Sequence, residues 1–186
     1  MFIETEQTPN PATLKFLPGR AVVESGTADF ASAAEAQRSP LAERLFQVEG
    51  VSRVFLGQDF ISVSKAAEKE WFVLKPAILG VIMEHFIAGK PVLLAGGAVE
   101  AEEGGTAGPQ SEIVAQIKEL LETRVRPAVA QDGGDIIFRS FENGVVYLHM
   151  QGACSGCPSS TATLKMGIEN MLRHYIPEVV EVRPVQ

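Results

Sequence analysis

Cysteine is scarce in this chain of 186 residues, which contains only Cys154 and Cys157. A disulfide-rich secreted domain is therefore excluded. Structural zinc sites take four Cys or His ligands, and both common types of iron–sulfur cluster take four thiolates. The cysteines of one copy cannot supply such a set. A site of this kind needs His, a carboxylate, a small thiol or a second copy of the chain.

Long apolar runs and an excess of positive charge are also absent. The best apolar run, residues 76–83, is much shorter than the roughly 20 residues of a membrane-spanning helix. The first residues have the features of neither a signal peptide nor a transit peptide. A net charge of -7 argues against a general nucleic-acid-binding protein, which needs a basic surface. These features predict a cytoplasmic protein without a nucleic-acid or membrane partner.

The remaining chemistry of the sequence is not that of a common enzyme. No Ser/His/Asp set, P-loop or dinucleotide-binding fingerprint is present, and we predict a protein that is not an enzyme. In a reducing cytosol, a close cysteine pair is more often metal-binding or reactive than structural. The cysteine pair is therefore the candidate site.

Apolar periodicity predicts an α+β protein of two small domains, each a small sheet with helices packed on it. In the first domain, strands are predicted over residues 2–5, 13–17, 51–56 and 60–64, with a further short strand at 21–23. Residues 25–39 are predicted as a loop with a helical turn. Helices are predicted over residues 40–47 and 71–87, and the second is expected to become regular near Pro76 because proline favours a first helical position.

Residues 96–109 are glycine-rich and acidic, and they predict a flexible linker between domains 1–95 and 110–186. The second domain is predicted as a helix capped by Ser111 and disturbed by Pro127, followed by a hairpin of strands 136–138 and 143–150. A cysteine loop, a helix over residues 159–175 and an edge strand over residues 179–182 complete it.

Both cysteines lie in the segment GACSGCPSS, residues 152–160, between a predicted strand and a predicted helix. The Cys-x-x-Cys spacing lets two thiolates converge on one metal centre or form one small redox disulfide. Gly152 and Gly156 are expected to shape an exposed loop, and the following helix N-terminus is expected to favour thiolates. Two copies related by a twofold axis could supply Cys154 and Cys157 twice to a shared centre.

Three alternatives stay open for the cysteine pair: a thioredoxin-like dithiol, a zinc ion bridging two copies, and two inert buried thiols. His149, five residues before Cys154, is the candidate for an additional ligand, although a strand histidine is more often packed or hydrogen-bonded. The segment DGGD at residues 132–135 is interpreted as a tight turn in which glycine supplies a positive φ, rather than as a metal or phosphate loop.

Several of these segments together resemble a known family. DGGD at residues 132–135, the cysteine segment, and Thr163-Leu164-Lys165 resemble the C-terminal domain of NifU-type proteins. The opening TEQTPNPATLKF, residues 5–16, is similar to the N-terminal domain of two-domain Nfu proteins. The resemblance covers nearly the whole chain.

The resemblance implies an iron–sulfur cluster scaffold or carrier. In it, Cys154 and Cys157 of two subunits would hold one [4Fe–4S] cluster, with [2Fe–2S] as the alternative, in a homodimer. The implied partners are apo iron–sulfur client proteins and upstream cluster-assembly proteins. Mitochondrial members of the family begin with a targeting extension, whereas the family motif starts close to Met1 here. A bacterial, cytoplasmic member is therefore predicted.

Overall fold

The structure, a computed structural model, describes residues 1–95, 109–155 and 158–185, with side chains for residues 1–95, 110–155 and 161–185. The chain divides into two units, Met1–Glu100 and Ala101–Gln186. Each unit contains its own sheet, helices and buried apolar core. The predicted α+β architecture with two sheet-and-helix domains is confirmed.

The first unit is built on a five-stranded antiparallel sheet. Its strands are β1 (Glu4–Gln7), β2 (Thr13–Leu17), β3 (Ala28–Phe30), β4 (Val51–Leu56) and β5 (Ile61–Lys65). Their order across the sheet is β1-β2-β5-β4-β3, so the predicted hairpin of β4 and β5 lies at its centre. The described part of this unit also contains a 3-10 turn (Glu35–Arg38) and helices α1 (Pro40–Phe46) and α2 (Trp71–Ile87).

Four predictions for the first unit are wrong in detail. Strand β1 runs over Glu4–Gln7 rather than over residues 2–5, because these four residues are the ones that pair with β2. Residues 21–23 form no strand, because the N–H groups of Val22 and Val23 both bind the carbonyl of Gln58 in a loop. Strand β3 falls within the segment predicted as loop, where it pairs with β4. Helix α2 is regular from Trp71 rather than from Pro76, because proline inside a helix removes one backbone hydrogen bond without preventing the preceding turn from forming.

The second unit contains a three-stranded sheet. Its elements are α3 (Pro109–Leu120), one π-helical turn (Leu121–Val125), α4 (Arg126–Gln131), β6 (Gly134–Glu142), β7 (Val145–Gly152), α5 (Pro158–Tyr175) and β8 (Glu181–Val185). Strands β6 and β7 form an antiparallel hairpin, and β8 lies parallel to β7 at the opposite edge. Helix α5 therefore connects two parallel neighbouring strands, and the cysteine segment lies between β7 and α5.

The first helical segment of this unit differs from its prediction at its start. Ser111 is not an N-cap, since α3 already runs from Pro109. The predicted disturbance at Pro127 is present as the π-helical turn Leu121–Val125, after which the segment continues as α4 to Gln131. The wider π turn accommodates Pro127, whose ring would otherwise clash with the carbonyl of Thr123 four residues earlier.

The other predictions for the second unit agree more closely with the structure. Strand β8 begins at Glu181 rather than at residue 179, because the N–H groups of Val180 and Glu181 still bind the carbonyl of Gly144 in the hairpin turn.

Apart from Pro109, the predicted linker lies outside the described residues, so its flexibility and the exact domain boundaries stay predictions. Among the helices of the described residues, none is long and apolar enough to cross a membrane.

Candidate functional site

The chain turns sharply where β7 ends, and Cys154 lies in this turn. Gly152, the last residue of β7, has a φ of 63°, a left-handed conformation that glycine adopts without strain. The N–H of Ser155 donates to the carbonyl of Gly152 at 3.1 Å, and the N–H of Ala153 donates to the carbonyl of Gly133 at 3.1 Å. The turn before Cys154 is therefore held both by its own hydrogen bond and by the neighbouring turn that begins β6.

Cys154 is buried, with an exposed fraction of 6%. It belongs to the apolar core of the second unit, together with residues such as Met150 and Ile168. The expectation of an exposed cysteine loop is therefore wrong for Cys154, because the turn directs this side chain back into the core. Cys157 and Gly156 lie outside the described residues, so their proposed roles stay predictions.

Gly134, the first residue of β6, forms one wall of the Cys154 environment. A Cβ atom placed on Gly134 would lie 2.6 Å from Cys154 Sγ, 2.8 Å from the carbonyl oxygen of Gln151 and 3.1 Å from the backbone nitrogen of Cys154. Carbon atoms do not approach other heavy atoms this closely without displacement. Glycine at this position therefore lets the backbone of β6 lie directly against the sulfur.

The two glycines of the DGGD segment thus have different functions. Gly133 has a φ of 80°, so the predicted tight turn with a positive-φ glycine is confirmed there. The packing of Gly134 against Cys154 was not predicted from the sequence. The available signal was the second glycine, which the turn alone does not require.

A buried ion pair anchors the same turn from the side of α4. Arg126 Nε and Nη2 each donate to one carboxylate oxygen of Asp135 at 2.8 Å, a bidentate geometry. The Asp135 side chain is almost fully buried, and its Oδ1 also accepts from the N–H of Ile136 at 2.8 Å. The hydrogen bonds from Arg126 to Asp135 raise the pKa of the guanidinium above its ordinary value, and an exposed pair with Glu122 adds to this.

This pair was also missed by the sequence analysis. It connects the start of α4 to the second residue of β6, immediately after Gly134. The Arg126–Asp135 pair therefore fixes the strand end on which Cys154 packs. The two side chains are nine positions apart in the sequence, with the rest of α4 and a turn between them, and no local pattern connects them.

Helix α5 contacts the cysteine turn through its first turn. Thr161 Oγ1 donates to the carbonyl of Cys154 at 3.3 Å. Helix α5 runs for 18 residues from Pro158, so its N-terminal end, with its free N–H groups and partial positive charge, follows the Cys-x-x-Cys segment directly. This arrangement favours anionic sulfur at the start of the helix.

The histidines lie in environments that differ from that of Cys154. His149 Nδ1 lies 3.3 Å from the carbonyl oxygen of Val185 on the neighbouring strand β8, which fits a hydrogen-bonded strand residue. His174, near the end of α5, contacts the Tyr175 ring edge-on at 5.0 Å. His85 is buried in the first unit, where its Nε2 lies 3.1 Å from the carbonyl oxygen of Pro91.

The residues that the structure describes contain no group of three or more His, Cys, Asp or Glu side chains arranged to hold a metal ion. Cys154 therefore has no complete metal site around it within this part of one chain. As the sequence analysis already required, further ligands must come from Cys157, from another molecule, or from both.

Two family models match the chain in succession. A model described as the N-terminal domain of the scaffold protein Nfu/NifU matches residues 3–89, and a model described as the NifU-like domain matches residues 117–183. The second match contains the cysteine segment, Gly134 and the Arg126–Asp135 pair.

Curated relatives match across the whole chain. The human NFU1 iron-sulfur cluster scaffold homolog, mitochondrial, is 52% identical over 188 residues, which cover all of this chain and 72% of that protein. NifU-like protein 4, mitochondrial, from Arabidopsis thaliana is 52% identical over 181 residues, which cover 96% of this chain and 64% of that protein. The chain thus spans somewhat less than two thirds of the length of this plant relative. A solution NMR structure of a NifU-like protein from Saccharomyces cerevisiae matches with a TM-score of 0.46 and 27% identity, covering 50% of this chain and 84% of that chain.

The prediction of a cytoplasmic location is wrong. Relatives that are 52% identical over 96% or more of this chain are named as mitochondrial proteins. The prediction relied on the family motif starting close to Met1, but the position of a motif in the given sequence carries no information about targeting.

Proposed function

Because this chain belongs to the family of Nfu and NifU-like iron–sulfur cluster scaffold proteins, we propose that it binds an iron–sulfur cluster as cargo and delivers it to apo-proteins. The observation that carries the proposal is the position of its only two cysteines, spaced Cys-x-x-Cys directly before α5 in the NifU-like domain. The relatives are named as mitochondrial, and their names favour the mitochondrion as the place of action.

Cys154 and Cys157 are the proposed cluster ligands. A [4Fe–4S] cluster takes four thiolates, so two copies of the chain would each contribute this pair to one cluster on a twofold axis. A [2Fe–2S] cluster can be held by the same four thiolates and is the alternative cargo. Thiolates at the start of α5 would be stabilised by the N-terminal end of that helix.

Because Cys154 is buried, the proposal requires an additional step, the opening of the turn that contains it. With an exposed fraction of 6%, its sulfur cannot reach a cluster shared with a second chain unless the turn opens. Among the described residues, the interactions to be released include the hydrogen bond from Ala153 to Gly133, that from Thr161 to Cys154, and the contact with Gly134. Local opening of such a turn costs less than global unfolding, and closing it again would favour release of the cargo.

Cluster transfer is proposed to proceed by ligand exchange. A thiolate of the acceptor forms a bond to iron as the bond from iron to Cys154 or Cys157 breaks, and the departing cysteine takes up a proton. The four exchanges occur in succession, so the cluster keeps its charge and neither protein is oxidised or reduced. Under this mechanism the chain is a carrier rather than an enzyme.

The two domains are proposed to have separate functions. The second domain, residues 110–186, carries the cluster, while the first domain, residues 1–95, contacts client proteins and upstream assembly proteins. Residues 96–109 are the proposed flexible linker, and a tether of this length would raise the effective concentration of the cluster near a bound client.

The experiment is anaerobic reconstitution of the full chain with iron and sulfide, followed by iron and sulfide analysis, absorption spectroscopy and sizing. One four-iron cluster per two chains gives about two irons and two sulfides per chain, in a dimer. Cys154→Ser and Cys157→Ser are each expected to abolish this stoichiometry. Ser155→Ala, a change within the same segment that removes no thiol, is the control and should bind the cluster normally.

Other results would favour the remaining interpretations. A full cluster in either Cys→Ser variant would refute the proposed ligands. Tight zinc binding by a dimer that takes up no iron and sulfide would favour the zinc-bridged alternative. A colourless monomer that reduces a disulfide substrate would favour the dithiol oxidoreductase.

A further inference from the structure

Strand β8 forms one edge of the three-stranded sheet in the second unit. It pairs with β7 on one side, and no strand among the described residues pairs with its other side. The segment VVEVRPV at residues 179–185 contains four valines, and the exposed fraction of Val180 is 63%. A valine-rich edge strand tends to pair with strands of other chains, because its unpaired N–H and C=O groups form a template for them.

The free side of β8 has few backbone donors. The N–H of Glu181 donates to the carbonyl of Gly144 at 3.2 Å, so this N–H points toward the start of β7. Backbone N–H groups alternate between the two sides of a strand, and those of residues 183 and 185 therefore point toward β7 as well. Positions 182 and 184 are left to face the free side. Position 184 is a proline, which has no N–H.

The remaining donor on the free side, the N–H of Val182, is bound within the chain. It donates to Glu169 Oε2 on α5 at 3.1 Å. One turn earlier on α5, Lys165 Nζ lies 3.7 Å from Glu181 Oε1 on β8. One turn later, Arg173 Nη1 lies 3.9 Å from Glu169 Oε1. These contacts align a row of α5 side chains beside β8 and hold the Glu169 carboxylate at the strand.

We propose that Glu169 and Pro184 together close the edge of β8 to strand pairing with a second copy of the chain, with Glu169 acting as an internal cap. Antiparallel pairing of two β8 strands about a twofold axis at Val182 requires the Val182 N–H of each copy to donate to the Val182 carbonyl of the other. The Glu169 carboxylate occupies this donor, and Pro184 provides none two residues further along. Residues 181–185 then have no N–H left for a partner strand on this side.

The opposite edge of the sheet is protected in a different way. The pairing of β6 with β7 skips Arg139, an extra residue between Phe138 and Ser140 that forms a β-bulge. A bulge twists an edge strand away from the flat geometry that a partner strand requires. Closed edges suit a chain whose proposed cluster-bridged dimer must separate when the cargo leaves. The cap itself follows from the contacts of β8 and does not rest on the proposed function.

The first test is sedimentation velocity of the full chain over a concentration series. The parent and all variants carry Cys154→Ser and Cys157→Ser, so that neither a cluster nor a disulfide links two copies. Combining Glu169→Ala with Pro184→Thr removes the cap and restores a donor. We expect the dissociation constant of the dimer to fall at least about tenfold below that of the parent, because each dimer gains hydrogen bonds at Val182 and at position 184.

The matched controls share the Pro184→Thr background. Glu169→Gln keeps an acceptor oxygen for the Val182 N–H, and Arg173→Ala removes the charge partner of Glu169 while leaving the cap in place. Both should associate as weakly as the parent, and so should Pro184→Thr alone. Glu169→Met, which has a similar length but no acceptor oxygen, should behave like Glu169→Ala and replaces it should the alanine variant fail to fold.

Hydrogen exchange of the Val182 amide identifies the contact. In the dilute double variant this amide should exchange faster than in the parent, and association should slow its exchange again. The proposal would be overturned by a double variant that associates no more than the parent, or by glutamine and alanine variants that associate equally. Association that leaves the Val182 amide unprotected would also overturn it, since strand pairing at β8 requires that donor.

Discussion

The contact between Gly134 and Cys154 gives the most direct test of the site. In Gly134→Ala, the new methyl group would lie 2.6 Å from Cys154 Sγ and 2.8 Å from the carbonyl oxygen of Gln151. The sulfur could move by rotation of its side chain, but the carbonyl oxygen and the backbone nitrogen of Cys154 belong to the main chain. The turn itself must therefore shift.

The magnitude follows from the cost of overpacking, which is about 1–3 kcal/mol for an added methyl group in a well-packed core. Because two of the three contacts are with backbone atoms, we expect a loss of about 2–3 kcal/mol. With a urea dependence of roughly 1–3 kcal/mol per molar, the midpoint should fall by about 1 M. The displaced turn should also lower the amount of iron retained after reconstitution.

The assay is urea denaturation of the cluster-free chain followed by circular dichroism, together with iron analysis after anaerobic reconstitution. Trp71 is the only tryptophan, and it lies in the first unit, so its fluorescence reports on a region that the substitution should leave unchanged. Gly167→Ala is the control, because a Cβ at this position in α5 meets nothing within 4 Å. It should raise the stability by about 0.5–1 kcal/mol.

The reasoning would be refuted by a Gly134→Ala variant that matches the wild type in both stability and iron content. A loss of stability with normal iron content would show that the glycine serves folding alone. A shift in the Trp71 transition would show that the effect is not confined to the second unit.

Two further predictions concern buried charged or titratable groups. Arg126→Ala would leave the Asp135 carboxylate buried without its bidentate partner, and it should lower the free energy of unfolding by about 2–4 kcal/mol in urea denaturation. Glu122→Ala breaks only the exposed pair and should lower it by less than about 1 kcal/mol. Equal losses in the two variants would contradict the importance of the buried pair. Burial lowers the pKa of His85 below its ordinary value of 6.5, so the unfolded chain binds this proton more readily and stability should fall as the pH drops below 6.5. His85→Gln should reduce this pH dependence of the urea midpoint, and an unchanged pH profile would contradict the assignment.

Local sequence patterns were sufficient for most of the secondary structure. Alternating apolar residues and turn signals located β2, β4, β5 and both strands of the second hairpin. At the tip of that hairpin, Asn143 and Gly144 have φ values of 51° and 78°, the left-handed pair that an Asn-Gly turn predicts. Strand β3 was missed because its three residues form a strand only by pairing with β4, a contact about 25 residues distant in sequence.

The sequence by itself determined the chemistry of the candidate site. Two cysteines, their spacing and the helix that follows them limit the site to a few interpretations, because ligand number and thiolate chemistry depend on residue type and local order. These properties do not require knowledge of the fold.

Only the tertiary structure decided the environment of Cys154. Its burial, the contact of its sulfur with Gly134 and the anchoring of that strand by the Arg126–Asp135 pair all join segments that are separated along the chain. Such contacts are created when β6, β7 and the helices pack around one core, and their distances depend on the positions of whole elements. A pattern of neighbouring residues cannot encode these distances, because the same local sequence could end its strand against a different neighbour.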